Sequence, residues 1–273
     1  MDDFLSLSGK NIILAGVANK RSVAWATAKV LREAGANIIY LFKDQELLEK
    51  NRPLIGEEAL ALPCDVESEE EIAHLTERVS AHVSTVDGFV HSLAFAKFSQ
   101  GRIVPFHETL RTDFQQAMNI SCFSFVQMCN ALKGLFSPDA SIVTMSISAT
   151  RIASENYGYM GPIKAALDSA VVFLARSLAR EVSPSIRVNA VGAGLLKTSA
   201  SAGIPGYIDN YLYAEKVIPR KRALDTTEVA NTIAFLLSAR SSGINAQTLV
   251  VDAGMSINYF DREIVRAVTA PTK

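Results

Sequence analysis

The sequence predicts an α/β fold, a doubly wound parallel sheet of about seven strands with helices on both faces. Three observations carry this reading. Short apolar runs rich in Val and Ile alternate with longer stretches of helical period. Several runs, such as NIILAG (11–16) and NIIYLF (37–42), are apolar throughout, as strands covered on both faces are. The 273 residues are 49% hydrophobic and contain no linker-like or low-complexity stretch and no internal repeat, so one large core is within reach. A single domain over 1–273 is the simplest division.

The elements follow in order. Ser22 to Gly35 reads as a helix, with Val23, Ala26, Thr27, Val30 and Leu31 at helical spacing and Gly35 as its stop. A third strand, near 58–62, precedes Asp65. Ser68-Glu69-Glu70-Glu71 has the form of a capping box, whose helix is expected to reach about Val83. GFVHSL (88–93), SIVTMS (141–146), SIRVNAV (185–191) and TLVVDAG (248–254) supply the remaining strands. Helices are expected near 111–133, from about Tyr157 to Val182, and from Thr226 onward. Regular alternation implies parallel pairing through right-handed crossovers. The result is a Rossmann-like sheet, whose ligands lie at the carboxyl ends of the strands. The loops beginning near Gly16, Lys43, Asp65, Ser92, Ser146 and Gly192 should then line one crevice.

Composition narrows the function. The net charge is -1, with both signs scattered, which is no footprint for nucleic acid. The start, MDDFLSLSGK, lacks the basic and apolar segments of a signal peptide, and no apolar stretch approaches the ~18 residues of a membrane span. A cytoplasmic protein with no membrane partner is expected. Cys64, Cys122 and Cys129 lack metal or redox spacing and read as buried free thiols. His74, His82 and His107 have no ligand partners at metal spacing, and His91 reads as packed within its strand, so no metal is expected.

The first crossover points to a phosphate-bearing ligand. Gly16-Val17-Ala18-Asn19-Lys20-Arg21-Ser22-Val23-Ala24 joins a strand to a helix, whose free N–H groups and positive dipole end suit a pyrophosphate. With one glycine it lacks the G-x-G-x-x-G fingerprint, and an ordinary βα turn would read the same way. At the end of the second strand stands Lys43, which could pair with a 2′-phosphate or be a commonplace exposed lysine. Asp65-Val66 stands where an adenine would lie, or serves as a helix lead-in.

The chemistry falls at the fifth crossover, Tyr157-Gly158-Tyr159-Met160-Gly161-Pro162-Ile163-Lys164. A reductase needs a proton donor, and a nearby ammonium favours phenolate while also holding a ribose. On a continuous helix at about 100° per residue, Tyr157 shares a face with Lys164, whereas Tyr159 points roughly 140° away. Tyr157 is therefore the expected donor, provided the helix extends back that far. The competing reading makes both tyrosines core or interface aromatics.

These residues, with C-D-V (64–66), D-G-F-V-H-S-L-A-F-A (87–96), R-V-N-A (187–190), K-T-S-A-S-A-G-I (197–204) and V-D-A-G-M-S-I-N (251–258), resemble the short-chain dehydrogenase/reductase superfamily. Within it the chain is similar to bacterial enoyl-[acyl-carrier-protein] reductases, from about Ser8 to Asn258. Ordinary members place a Tyr four residues before the Lys and a Ser thirteen before that Tyr, where Met160 and Ile147 stand here. The enoyl reductases use a Tyr seven before the Lys, and Tyr157 matches.

The resemblance implies hydride transfer from NADH, or alternatively NADPH, to a trans-2-enoyl thioester on acyl carrier protein. It implies Tyr157 and Lys164 as catalytic residues. Gly16, Ser22, Val23, Lys43, Asp65, Val66, Ser92, Leu93, Ala94, Lys164, Leu196 and Thr198 are the expected cofactor positions. Ala96, Tyr157, Met160, Ala200, Ile204 and Tyr207 are the expected substrate positions, with a lid over about 195–215 that Gly203 and Gly206 would hinge. A homotetramer is expected, with the apolar run 165–173 serving either that interface or the sheet. Asn119 matches the Asn of ordinary members.

Three positions depart from the family pattern. Ile147 stands where a second Tyr is usual, Leu195-Leu196 where Pro-[Ile/Val] is, and Glu155 where Pro is common. They border the substrate side. A diverged oxidoreductase of the same fold and a non-catalytic dinucleotide-binding protein are the competing readings. The segment after Phe260 has no match.

Overall fold

The computed structural model describes residues 4–98, 102 and 104–270. Among the described residues seven parallel strands form one sheet: β1 (Asn11–Ala15), β2 (Asn37–Phe42), β3 (Ala61–Pro63), β4 (Val86–His91), β5 (Phe136–Ile147), β6 (Arg187–Ala193) and β7 (Thr248–Val251). Their order is β3-β2-β1-β4-β5-β6-β7. The chain thus leaves β1 for one edge, returns at β4 and builds to the other edge. That reversal beside β1 is the switch point at which a ligand crevice opens.

The helices are α1 (Val23–Glu33), α2 (Gln45–Ile55), α3 (Glu69–Ala73), α4 (Leu75–Ser80), α5 (Arg111–Met118), α6 (Ser124–Leu132), α7 (Met160–Glu181), α8 (Ser199–Ala202), α9 (Tyr207–Val217), α10 (Thr226–Leu237) and α11 (Arg262–Thr269). They cover both faces because side chains alternate across a strand. Ile13, Ile39, Phe89 and Ile142 face one way, onto Phe125 of α6 and Leu167 of α7. Ile12, Tyr40, Val90 and Val143 face the other, onto Leu31 of α1 and Ile233 of α10. Both layers are buried from solvent, so the uniformly apolar strands are the direct consequence of two-sided burial.

Several elements differ from expectation, each for a local reason. The polar segment QELLEKNRPLI, with only Leu48, Asn51 and Ile55 buried, carries too thin an apolar stripe to announce α2, yet Asp44 caps it through Leu47 N at 2.7 Å. The third strand is Ala61–Pro63 rather than 58–62. The helix expected from Ser68 to Val83 breaks at His74 into α3 and α4. Ser68 Oγ accepts from Glu71 N at 3.2 Å, but the Glu71 carboxylate takes Asp65 N at 2.9 Å, so this carboxylate serves the loop ahead of the cap.

The 111–133 helix is interrupted by a π-turn at Asn119–Phe123, a distortion common at functional sites. Within it Ser121 Oγ accepts from Phe95 N at 2.9 Å and donates to Phe95 O at 3.1 Å, fastening the loop after β4. The helix expected from Tyr157 begins at Met160, and Pro162 sits in its first turn, where a missing N–H is harmless.

The R-V-N-A motif (187–190) is structural. Arg187 is buried and its guanidinium donates to the carbonyls of Leu236, Ser238 and Ser241, each at 3.0 Å. Asn189 donates to Ile244 O at 2.9 Å and accepts from Gln247 N at 3.1 Å. Together they tie β6 to the connection between α10 and β7. The cysteines are free and buried, as expected. His74 and His82 are exposed. Among the described residues no helix is long and apolar enough to cross a membrane, and no cluster of side chains is fit to hold a metal.

Candidate active site

The crevice is built from strand ends. At the tip of β1, Gly16 has φ +108°, and a Cβ there would lie 2.2 Å from Ser92 O at the tip of β4. Both the backbone angle and the close approach demand glycine. Ser92 N donates to Ala15 O at 3.1 Å, so the two tips are locked together. The turn then folds on itself. Asn19 O accepts from Ser22 N at 3.1 Å and from Ser22 Oγ at 2.8 Å, and Ser22 Oγ caps α1 through Trp25 N at 3.1 Å. The first turn of α1 carries no acidic residue, leaving its positive end uncompensated.

Beside this turn lies a cavity of about 280 Å³ over the ends of β1 to β4. Lys43, Asp65, Val66, Leu93 and Ala94, all expected cofactor positions, line it together. Lys43 Nζ sits 3.6 Å from Asp65 Oδ2 and 3.6 Å from Glu67 Oε2, so it is already paired. Glu67 and Gln116, which also line the cavity, escaped the sequence reading. The adjacency of Glu67 to the C-D-V motif was the available signal for the first. Gln116 comes from α5, remote in sequence, and had none.

At the β5 end the chemistry groups gather. Lys164 is 3% exposed and its ammonium donates to Met145 O at 2.7 Å. Burial lowers its pKa to about 8, while Cys122 and Asp168 pull it upward, so it is still protonated at neutral pH. Ser146, the next residue of β5, is buried, and among the described residues its hydroxyl has no partner. An orphan hydroxyl beside the lysine anchor is the kind of group a ligand satisfies.

Tyr157 occupies a separate short 3₁₀ turn, Glu155–Tyr157, and Gly158 turns the chain at φ +53° before α7 begins. The argument from a shared helix face therefore does not hold, since no continuous helix joins Tyr157 to Lys164. What distinguishes the two tyrosines is occupancy. Tyr159 is buried, donates to Lys97 O at 2.5 Å and accepts from Lys97 N at 2.8 Å, and packs on Phe98 and Phe114. Tyr159 thus clamps a loop. The half-buried Tyr157 packs in the same apolar cluster as Ala96 and Met160. Burial, with a further push from Tyr207, raises its pKa above the usual phenol value. The expectation that the lysine drives it toward phenolate is corrected: Tyr157 is a neutral phenol, able to donate.

The lid segment is only partly joined to this cluster. Tyr207 OH donates to Leu196 O and accepts from Leu196 N, both at 2.9 Å, so its hydroxyl is spent on holding the segment. Thr198 caps α8 through Ser201 N at 3.1 Å. Ala200 is exposed and Ile204 half-buried, both apart from the Tyr157 cluster. His91 is buried between Thr144 Oγ1 at 3.0 Å and Ser124 Oγ at 2.9 Å. Burial, aided by Lys164, lowers its pKa to about 3, so it is a neutral packed residue.

The donor set fits a dinucleotide. A cradle from which a Cβ is excluded lies beside a helix start without acids, a cavity lies over the ends of β1 to β4, and at the end of β5 a buried ammonium holds Met145 O, with Ser146 next along the strand. Comparison with known proteins agrees. Residues 16–256 match the family model described as enoyl-(acyl carrier protein) reductase. The enoyl-[acyl-carrier-protein] reductase [NADH] FabI of Nostoc sp. is 40% identical over 93% of this chain and 98% of its own length. The enoyl-[acyl-carrier-protein] reductase [NADPH] FabI of Staphylococcus aureus is 35% identical over 92% and 98%. The crystal structure of the enoyl-[acyl-carrier-protein] reductase (NADH) from Aquifex aeolicus superposes with a TM-score of 0.88 at 30% identity, covering 93% of this chain and 99% of that one. The chain belongs to the enoyl-[acyl-carrier-protein] reductase family.

Proposed function

We propose that this chain is an NAD(P)H-dependent reductase of the trans-2 double bond of enoyl thioesters carried on acyl carrier protein, acting in type II fatty-acid synthesis. One observation carries the reading. A buried ammonium at Lys164 lies under the β5 end while the neutral phenol of Tyr157 stands in an apolar wall, and the positions used by ordinary carbonyl reductases are the apolar Met160 and Ile147.

The cofactor, when bound, supplies a hydride to the β-carbon of the substrate. Negative charge then develops on the thioester oxygen, and the Tyr157 hydroxyl donates to it. Placed before the reaction in a water-poor wall, that donor stabilises the charged transition state more than the neutral ground state. Lys164, fixed by Met145 O, keeps further N–H donors and would be the group that holds the nicotinamide ribose. Gly16, Ser22, Val23 and Ser92 would hold the pyrophosphate end, and Asp65, Val66, Leu93 and Ala94, which line the cavity, the adenosine. Leu196 and Thr198 complete the cofactor side.

Ala96 and Met160, in the Tyr157 cluster, would line the acyl side, and Ala200, Ile204 and Tyr207 would close over it as parts of a lid spanning about 195–215. Gly206, at φ +71°, gives that lid a hinge ahead of α9. The catalytic unit is one domain. It acts in the cytoplasm as a homotetramer, for which the exposed Val172 and Phe173 on α7 are apolar surface in search of a partner.

The test mixes the protein with a crotonyl thioester and NADH or NADPH and follows nicotinamide absorbance. Tyr157→Phe is expected to lower kcat by about 100-fold or more with a far smaller effect on dinucleotide binding. Lys164→Ala damages both. Dinucleotide binding without turnover of any enoyl thioester, or full activity in Tyr157→Phe, refutes the assignment.

A further inference from the structure

The adenosine end of the cavity carries an arrangement that bears on which dinucleotide is used. Lys43, at the end of β2, stands where doubly wound folds read the 2′ position of the adenosine ribose. A lone cation there would attract a 2′-phosphate. Here it is not alone. Asp65 Oδ2 and Glu67 Oε2 each lie 3.6 Å from its Nζ. Glu67 is fixed from two further sides. Its other oxygen accepts from Gln116 Nε2 at 2.9 Å, and its backbone N donates to Asp65 Oδ1 at 3.0 Å. All four residues line the same cavity.

We infer that Glu67 is a specificity-determining residue, which cancels Lys43 and makes this site reject the 2′-phosphate, so that NADH is preferred over NADPH. The inference rests on the reductase reading above. Its physics is local charge balance. Lys43 with Asp65 and Glu67 sums to one negative charge, and a 2′-phosphate brings up to two more into the same corner. A 2′-hydroxyl brings none and can donate to a carboxylate. Asp65 alone would leave the balance neutral. The second carboxylate, held toward Lys43 by Gln116, tips it against the phosphate.

The experiment is a fluorescence titration of the purified protein with NADH and with NADPH, in wild type, Glu67→Gln, Lys43→Gln and the double variant. Gln at position 67 keeps the shape and an oxygen for Gln116 while removing the charge. The wild type is expected to bind NADH more tightly, by about tenfold. Glu67→Gln should lower the ratio of Kd for NADPH to Kd for NADH by about three- to tenfold, the size of one screened carboxylate acting on a phosphate a few ångströms away. The gain should shrink with added salt and vanish in the double variant, since Lys43 is the group released. Equal wild-type affinity for both dinucleotides, an unchanged ratio in Glu67→Gln, or a gain that persists without Lys43 overturns the inference and leaves the reductase reading intact. Persistence would assign phosphate recognition to Lys20 or Arg21 on the β1 turn. A wild type that binds neither dinucleotide overturns both.

Discussion

Removing the central ammonium should make this protein more stable. Lys164 is 3% exposed, and burial lowers its pKa from 10.5 to about 8 against the upward pull of Cys122 and Asp168. That lowering corresponds to about 3 kcal/mol held against the charged amine in the folded state. Lys164→Met keeps the length and apolar stem and deletes the charge. It also leaves Met145 O without its 2.7 Å donor, a loss of about 1 kcal/mol. The net expectation is a gain of about 2 kcal/mol near neutral pH, or a rise in Tm of about 4–8 °C.

The sign has its own signature. Below about pH 8 both folded and unfolded chains carry the proton, and wild type bears the full penalty. Between about pH 8 and 10.5 the folded protein sheds the proton that the unfolded chain keeps, so wild-type stability rises. The advantage of Lys164→Met should therefore shrink across that window and turn above it into a deficit of about 1 kcal/mol, the lost donor to Met145 O. Thermal unfolding of both proteins at a series of pH values measures it. A variant no more stable than wild type at neutral pH, or one whose advantage is the same at either end of the window, refutes the reasoning. The same variant should lose dinucleotide binding, which would mark this lysine as retained for function at a cost in stability.

Two further outcomes are expected. Gly16→Ala would place a Cβ 2.2 Å from Ser92 O at φ +108°, forcing the tips of β1 and β4 apart. It should destabilise by about 3 kcal/mol, lowering Tm by roughly 10 °C, and weaken dinucleotide binding at least about tenfold in titration of the folded fraction. A wild-type Tm would show the turn to be more pliable than its geometry. Tyr159→Phe deletes two hydrogen bonds to Lys97 and should cost about 1–2 kcal/mol in chemical denaturation. Its turnover should stay within about threefold of wild type, against a collapse in Tyr157→Phe; the reverse pattern would exchange the two roles.

Much of the site was legible because its logic is local. Gly16 sits at a strand-to-helix turn, Asp65-Val66 follows a strand, and Lys164 interrupts an apolar helix start, all visible in short windows. The pairing of Glu67 with Lys43 carries no local signal because the two meet only where the neighbouring strands β2 and β3 end side by side. Gln116 and Ser121 act on the crevice from α5 and the π-turn, through contacts that no nearby pattern encodes. Local energetics also explains the missed α2, whose cap is good but whose apolar stripe is narrow.

Uniformly apolar strands alternating with amphipathic helices determined the sheet class and the crevice, because burial on two faces and parallel pairing leave few other arrangements, while the family resemblance rested on the short motifs between Gly16 and Asn258. The tertiary structure alone showed which tyrosine hydroxyl is already occupied. Helical spacing favoured Tyr157 on the assumption of a continuous helix, yet Gly158 breaks the chain before Met160. The choice rests instead on Lys97, sixty-two residues from Tyr159 in sequence, whose backbone occupies that hydroxyl. It rests also on the packing that keeps Tyr157 a neutral phenol. Desolvation and hydrogen-bond occupancy depend on what the rest of the chain brings alongside, and no window of sequence contains them.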